Sequence, residues 1–129
     1  MINFLIHKTI DDDTIEIKIN KDILVCHYSN YNNLSIAEGE KYLGELLESS
    51  SDNIKITNEN LENQIISNGF WSYFVVGIYK KNRDEYFIEV SPEIIITVNN
   101  ELPDLYLNFQ VELRIERLDL LFNKAIDSS

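Results

Sequence analysis

Hydrophobic and polar positions alternate most strictly between residues 105 and 116. Leu105, Leu107, Phe109, Val111, Leu113 and Ile115 fall on one side of an extended chain, and Tyr106, Asn108, Gln110, Glu112, Arg114 and Glu116 on the other. A period of two marks a half-buried strand. Residues 14–20 show the same period, with Ile15, Ile17 and Ile19 opposite Glu16 and Lys18. A weaker alternation over residues 2–8 and the run Ile23–Tyr28, set off by the turns Asp11-Asp12-Asp13 and Asn20-Lys21-Asp22, predict a meander at the start of the chain. Phe70–Lys80 is apolar or aromatic on both faces, as a strand covered on both sides must be. Lys81–Asp84 reads as its hairpin turn and Glu85–Val90 as the return. Ser91-Pro92 interrupts the ladder, because proline has no N–H to donate, and Glu93–Val98 resumes it.

Three segments carry a helical period instead. Ser35-x-x-Glu38 has the form of a capping box. After it, Ile36, Gly39, Leu43, Leu46 and Leu47 share one face, and Glu38, Lys41, Glu45 and Glu48 the opposite one. Asn58, with Glu59 and Glu62 in the following turn, predicts a shorter helix that Asn68-Gly69 ends. Leu118, Leu121, Phe122, Ala125 and Ile126 predict a closing amphipathic helix. The expected fold is therefore one α+β domain over residues 1–129: a largely antiparallel sheet of hairpin-connected strands packed with two to three helices.

Charge narrows the partners. The 129 residues hold 22 Asp+Glu against 11 Lys+Arg, a formal net charge of −11. Such a field repels nucleic acid and anionic lipid and speeds encounter with a cationic protein. It also opposes self-association, so the free chain is expected to be a monomer. No stretch reaches the ~20 apolar residues of a membrane span. The N-terminus reads as a strand rather than a signal peptide. A single cysteine, Cys26, makes the cytoplasm the expected compartment.

Catalytic chemistry has little to stand on. His7 and His27 lie in separate strands, and no spaced His or Cys pair suggests a metal. Cys26 and His27 are neighbours in a strand and so face opposite ways. No nucleophile elbow, Walker loop or dinucleotide glycine fingerprint occurs. Asp11-Asp12-Asp13 lacks the spacing of a calcium loop and reads as a solvated turn. No enzyme activity and no cofactor are expected.

What remains is surface. The acidic face Glu38, Glu45 and Glu48 is the leading candidate for contact with a basic partner, with Asp11, Asp12 and Asp13 second. Trp71, Tyr73 and Tyr79 share a strand face with Val75. They read either as core or as an aromatic anchor for a partner. The aromatic strand Phe70–Tyr79, the return Glu85–Val90 and the Ser91-Pro92 step, within a small acidic chain, resemble the immunity proteins of bacterial toxin systems, including contact-dependent growth inhibition. That resemblance implies stoichiometric neutralisation of a basic cognate toxin, a nuclease being the expected case. The competing readings are a small acidic secretion or assembly chaperone and, behind it, a DNA mimic, which Lys41, Arg114 and Arg117 disfavour by interrupting the acidic faces.

Overall fold

A computed structural model describes residues 2–29, 36–57, 60–99 and 102–125. The strands are β1 (Ile2–Thr9), β2 (Thr14–Ile19), β3 (Asp22–Tyr28), β4 (Lys41–Ser51), β5 (Lys55–Ile56), β6 (Gln64–Ser67), β7 (Tyr73–Asn82), β8 (Glu85–Glu89), β9 (Ile95–Val98) and β10 (Gln110–Ala125). One 3-10 turn, Asp104–Tyr106, is the sole helical element among the described residues. The α+β expectation is thus corrected to all-β.

Backbone pairing closes eight strands on themselves. The circuit runs β1-β2-β3-β10-β7-β8-β9-β4 and back to β1. All of these ladders are antiparallel except β3–β10 and β4–β9. β4 and β10 also pair directly with each other, from Ser49 opposite Arg117 to Tyr42 opposite Ala125, and β5 prolongs β4 along β10. The result is a closed barrel whose two longest strands form a ribbon through its wall.

The topology has an internal twofold. The meander β1-β2-β3 leads into the long β4, as the meander β7-β8-β9 leads into the long β10. Each long strand starts antiparallel to the first strand of its own half, β4 on β1 and β10 on β7. Each then continues parallel to the third strand of the other half, β4 on β9 and β10 on β3. Exchanging the halves maps β4 onto β10, so the axis runs through the ribbon.

Inward residues fill the barrel as one hydrophobic cluster that spans both halves, from Ile6, Ile17 and Leu24 to Ile88, Ile96 and Leu113. Phe4, Tyr42 and Phe122 meet there, with ring centroids 5.4 Å apart for Phe4–Phe122 and 5.5 Å for Tyr42–Phe122. Two glycines are required by this packing. A Cβ on Gly44 would collide with the Leu121 carbonyl and stand 2.9 Å from the Phe4 ring, and one on Gly77 would stand 2.6 Å from the Glu89 carbonyl oxygen. Gly39, expected on a buried helix face, instead lies in an exposed turn with φ +85° and open space around it.

Each expected helix is replaced. The first, from Ser35, becomes the turn at Glu38–Gly39 and strand β4; Ser35 itself lies outside the described residues. The second becomes β6, and its capping residues Asn58 and Glu59 lie outside the described residues. The closing helix is the second half of β10, with Ile126 likewise outside. The segment 105–115 is a strand only from Gln110. Before it, Pro103 leads into the 3-10 turn and Asn108 takes φ +72°, which breaks an extended chain. Leu105 and Phe109, expected in the core, are exposed.

Candidate functional site

The barrel is filled, so any site lies on its outside. The strand registers place one row of outward side chains straight across the ribbon. Phe87 on β8 stands opposite Thr97 on β9, Thr97 beside Leu47 on β4, Leu47 opposite Asp119 on β10, and Asp119 beside His27 on β3. Alternation explains the row, since the neighbours of each member along its strand point into the core or toward it.

At one end the row is polar but internally paired. Arg117 donates from Nε to Asp119 Oδ1 at 2.8 Å and from Nη2 to Asp119 Oδ2 at 3.1 Å. Its Nη2 also donates to Ser49 Oγ at 3.2 Å. His27 Nδ1 lies 3.4 Å from Asp119 Oδ1, and its Nε2 lies 4.0 Å from Asp13 Oδ2. The Trp71 and His27 rings meet nearly at right angles with centroids 5.5 Å apart, while the Trp71 carbonyl accepts the Leu118 N–H at 3.0 Å. Phe70 leans on Trp71 at 5.2 Å and is 57% exposed. His27, Arg117 and Asp119, with Leu47 and Leu121, line a groove of about 180 Å³ between β3, β10 and β4.

At the other end β1 and β9 part from the edge of β4, leaving a groove of about 110 Å³. Ile2 and Leu46, both buried, form its floor, and Phe87 and Ile95 line it. Glu45 and Glu85 flank it, and among the described residues neither carboxylate takes part in a side-chain hydrogen bond or ion pair.

The expected site residues separate. Glu45 faces outward on β4, but Glu48 belongs to the opposite face of that strand. Its carboxylate accepts from Ser51 Oγ at 2.6 Å and from Asn99 Nδ2 at 3.0 Å. Glu38 sits in the turn before β4 and accepts from the Thr9 N–H at 3.0 Å and Thr9 Oγ1 at 3.2 Å. These bonds hold its carboxyl below the usual range. A helical stripe through Glu38, Glu45 and Glu48 does not exist. Asp11, Asp12 and Asp13 form the exposed β1–β2 turn, as expected. Hydrogen bonds involving Asp13 and Thr14 lower Asp11 there. Burial, reinforced by the three aspartates, raises Tyr28.

Tyr73 and Tyr79 are core residues, 3% and 0% exposed, and Trp71 is half-buried. Tyr73 Oη accepts the Val25 N–H at 2.7 Å, and burial pushes its phenol up to about 12. Cys26 faces inward, away from His27, and burial followed by the Asp119 charge raises its thiol far above the ordinary range, which keeps it an inert thiol. His7 pairs with Glu16 at 3.4 Å. Among the described residues no cluster of three His, Cys, Asp or Glu could hold a metal ion. No helix there is long and apolar enough to cross a membrane.

Sequence reading missed His27, Asp119, Glu85 and Phe87 as members of one surface. The alternation in β8 was the available signal, since it sets Glu85 and Phe87 on one side. Nothing local announces that β3 and β9 flank the same ribbon, with β8 beyond β9. No protein-family model, curated protein or solved structure matches this chain.

Proposed function

We propose that this chain is a stoichiometric, non-catalytic inhibitor of a cationic protein, of the kind that serves as an immunity protein in bacterial toxin systems. One observation carries the reading: a net charge of −11 on a barrel whose interior is filled. The chain's chemistry is then on its outside, and its sign is negative. The band across the ribbon offers what a tight interface needs. Phe70 and Trp71 supply apolar anchor area at one end, and Glu45 and Glu85 supply unspent charge at the other. The acidic field speeds encounter, while aromatic contacts set the dissociation rate. Against a nuclease toxin, such a surface would occupy the basic cleft that otherwise holds substrate phosphates.

The test is to produce the protein encoded beside this chain's reading frame and titrate it calorimetrically at low and high salt. One-to-one binding that weakens with salt and abolishes the partner's toxicity supports the reading. Absence of binding, or binding that leaves toxicity intact, overturns it.

A further inference from the structure

We infer that the free edge of β6 is a strand-addition site, at which an extended segment of a cationic partner, apolar in its middle and basic at its ends, joins the sheet. The identity of the partner rests on the proposed function; the unpaired edge does not.

Each of the eight strands in the closed circuit has a neighbour on both sides. β5 and β6 lie outside the circuit and have one neighbour each, β10 and β7. β5 is guarded as exposed edges usually are: it is two residues long, and one of them is Lys55. β6 carries no such guard. The stretch Asn63–Tyr79, which spans β6 and most of β7, holds no charged side chain, although 26% of the chain is charged. No proline or bulge interrupts the register of β6 on β7.

The phase of the ladder shows which backbone groups are free. Along an antiparallel strand, successive residues turn their N–H and C=O to opposite edges. Asn68 N–H donates to the Ser72 carbonyl at 2.8 Å across the β6–β7 hairpin, so Ile66 and Gln64, two and four residues back, also bond toward β7. The other edge of β7 agrees. Tyr79 N–H donates to the Phe109 carbonyl at 3.0 Å, which turns the odd-numbered residues of β7 to β10 and leaves Phe74 and Val76 for β6. Ile65 and Ser67 therefore point their N–H and carbonyl groups outward, where no backbone bond among the described residues takes them up. An extended chain offers donors and acceptors at that two-residue repeat.

The edge is held at both ends. Gln110 fixes the approach to β6: its Oε1 accepts the Leu61 N–H at 3.2 Å, and its Nε2 donates to Asn63 Oδ1 at 3.0 Å. The hairpin bond at Asn68 fixes the exit, so this side has little freedom left to lose on binding. Side chains then choose the partner's composition. Ile66 is 46% exposed, and Phe70, also exposed, follows at the hairpin tip; both favour an apolar middle. Glu62, exposed just before β6, and the net charge of −11 favour basic ends. Arg114 lies opposite Phe74 on β10, in the row of Ile66 and two strands in from the edge, which disfavours a basic residue at the middle. A second copy of the chain would bring another −11 to the edge, which favours a cationic strand over self-pairing.

The probe is the peptide acetyl-Lys-Val-Thr-Val-Thr-Lys-amide, titrated into isotopically labelled protein. Amide shifts and hydrogen exchange are the readouts. In the free protein Ile65 and Ser67 amides should exchange fast, and Gln64 and Ile66 amides slowly. Peptide should shift the amides of residues 64–68 saturably and slow exchange at Ile65 and Ser67. The same peptide N-methylated at its four central residues should bind at least about tenfold more weakly, since the bonds to the edge are lost. A counterpart with glutamate at both ends should lose about as much through repulsion. Ser67→Pro removes one outward N–H, leaves the bonds to β7, and should also weaken binding; slow exchange at Gln64 and Ile66 shows that β6 is intact in the variant.

Slow exchange at Ile65 and Ser67 without peptide would overturn the inference, because the edge would already be covered by this chain or by a second copy. So would absence of shifts at residues 64–68, N-methylated peptide that binds like its parent, or glutamate-ended peptide that binds like the lysine-ended one. An edge that takes the peptide while the neighbouring gene product does not bind leaves the inference standing and removes the proposed function. A neutralising partner that leaves Ile65 and Ser67 exchanging fast does the reverse.

Discussion

Leu105 and Leu113 occupy equivalent positions in the most regular alternation of the sequence, yet the structure gives them opposite fates. Leu113 lies on β10 opposite Val75 and is 1% exposed; Leu105 lies in the 3-10 turn and is 75% exposed. Leu113→Ala removes a buried side chain from a closed barrel whose wall strands are held by ladders on both edges, so the site has little freedom to collapse. A loss of about 3 kcal/mol is expected, within the range of about 2–5 for buried leucines. Leu105→Ala removes area that water already covers, and a loss below about 0.5 kcal/mol is expected. Urea unfolding at equilibrium reads the difference. With a denaturant dependence of about 1.5 kcal/mol per molar, the Leu113 variant should unfold about 2 M earlier than wild type and the Leu105 variant within about 0.3 M of it. Equal losses for the two would mean that the strand runs unbroken from 105 and that Leu105 is inside, which would refute the architecture.

Other consequences are open to direct measurement. Glu45→Lys should leave stability within about 0.5 kcal/mol, whereas Glu48→Lys should cost about 1 kcal/mol or more, because the Glu48 carboxylate holds Ser51 and Asn99; chemical denaturation separates them. Stability should fall as pH rises from about 10 toward 12. Tyr73 keeps its proton to about 12 in the fold and releases it near 10 when unfolded, so the unfolded state binds fewer protons across that window. Melts across this pH range should show a shallower decline for Tyr73→Phe, and a decline of unchanged slope would contradict the assignment. Light scattering behind size exclusion should return about the chain mass of 15.1 kDa, and a stable dimer would favour the chaperone reading.

The meanders were readable because their signals are local. Ile15, Ile17 and Ile19 alternate with polar neighbours, Asp11–Asp13 supply one turn and Arg83-Asp84, within the expected Lys81–Asp84, another, and the ladders they predict join strands adjacent in the chain. The candidate surface was legible only in part. The negative charge and the outward position of Glu45 were visible, whereas its supposed companions Glu38 and Glu48 are tied to Thr9, Ser51 and Asn99, groups that the sequence does not bring near. Tyr73 and Tyr79 could be read as core or anchor, and the closed barrel made them core.

The sequence by itself determined the two meanders, the turns between their strands and the sign of the surface, since each follows from neighbouring residues. The ribbon was decided by tertiary structure alone, and both of its paired segments, β4 and the second half of β10, read locally as helices. On β4 the inward positions are Tyr42, Gly44 and Leu46; the glycine erases the middle of the alternation, while the outward Leu43 and Leu47 mimic a helical spacing. On β10 the inward Leu118, Leu120 and Phe122 are joined by the outward Leu121, which completes the same illusion. Leucine, glutamate and lysine favour helix when nothing else competes. Here each segment finds its competitor in the other, far away in the chain: paired from Tyr42–Ser49 to Arg117–Ala125, β4 and β10 satisfy one another's backbone groups and carry both halves of the barrel. A pairing of that range leaves no trace in local periodicity, and neither does the twofold that it creates.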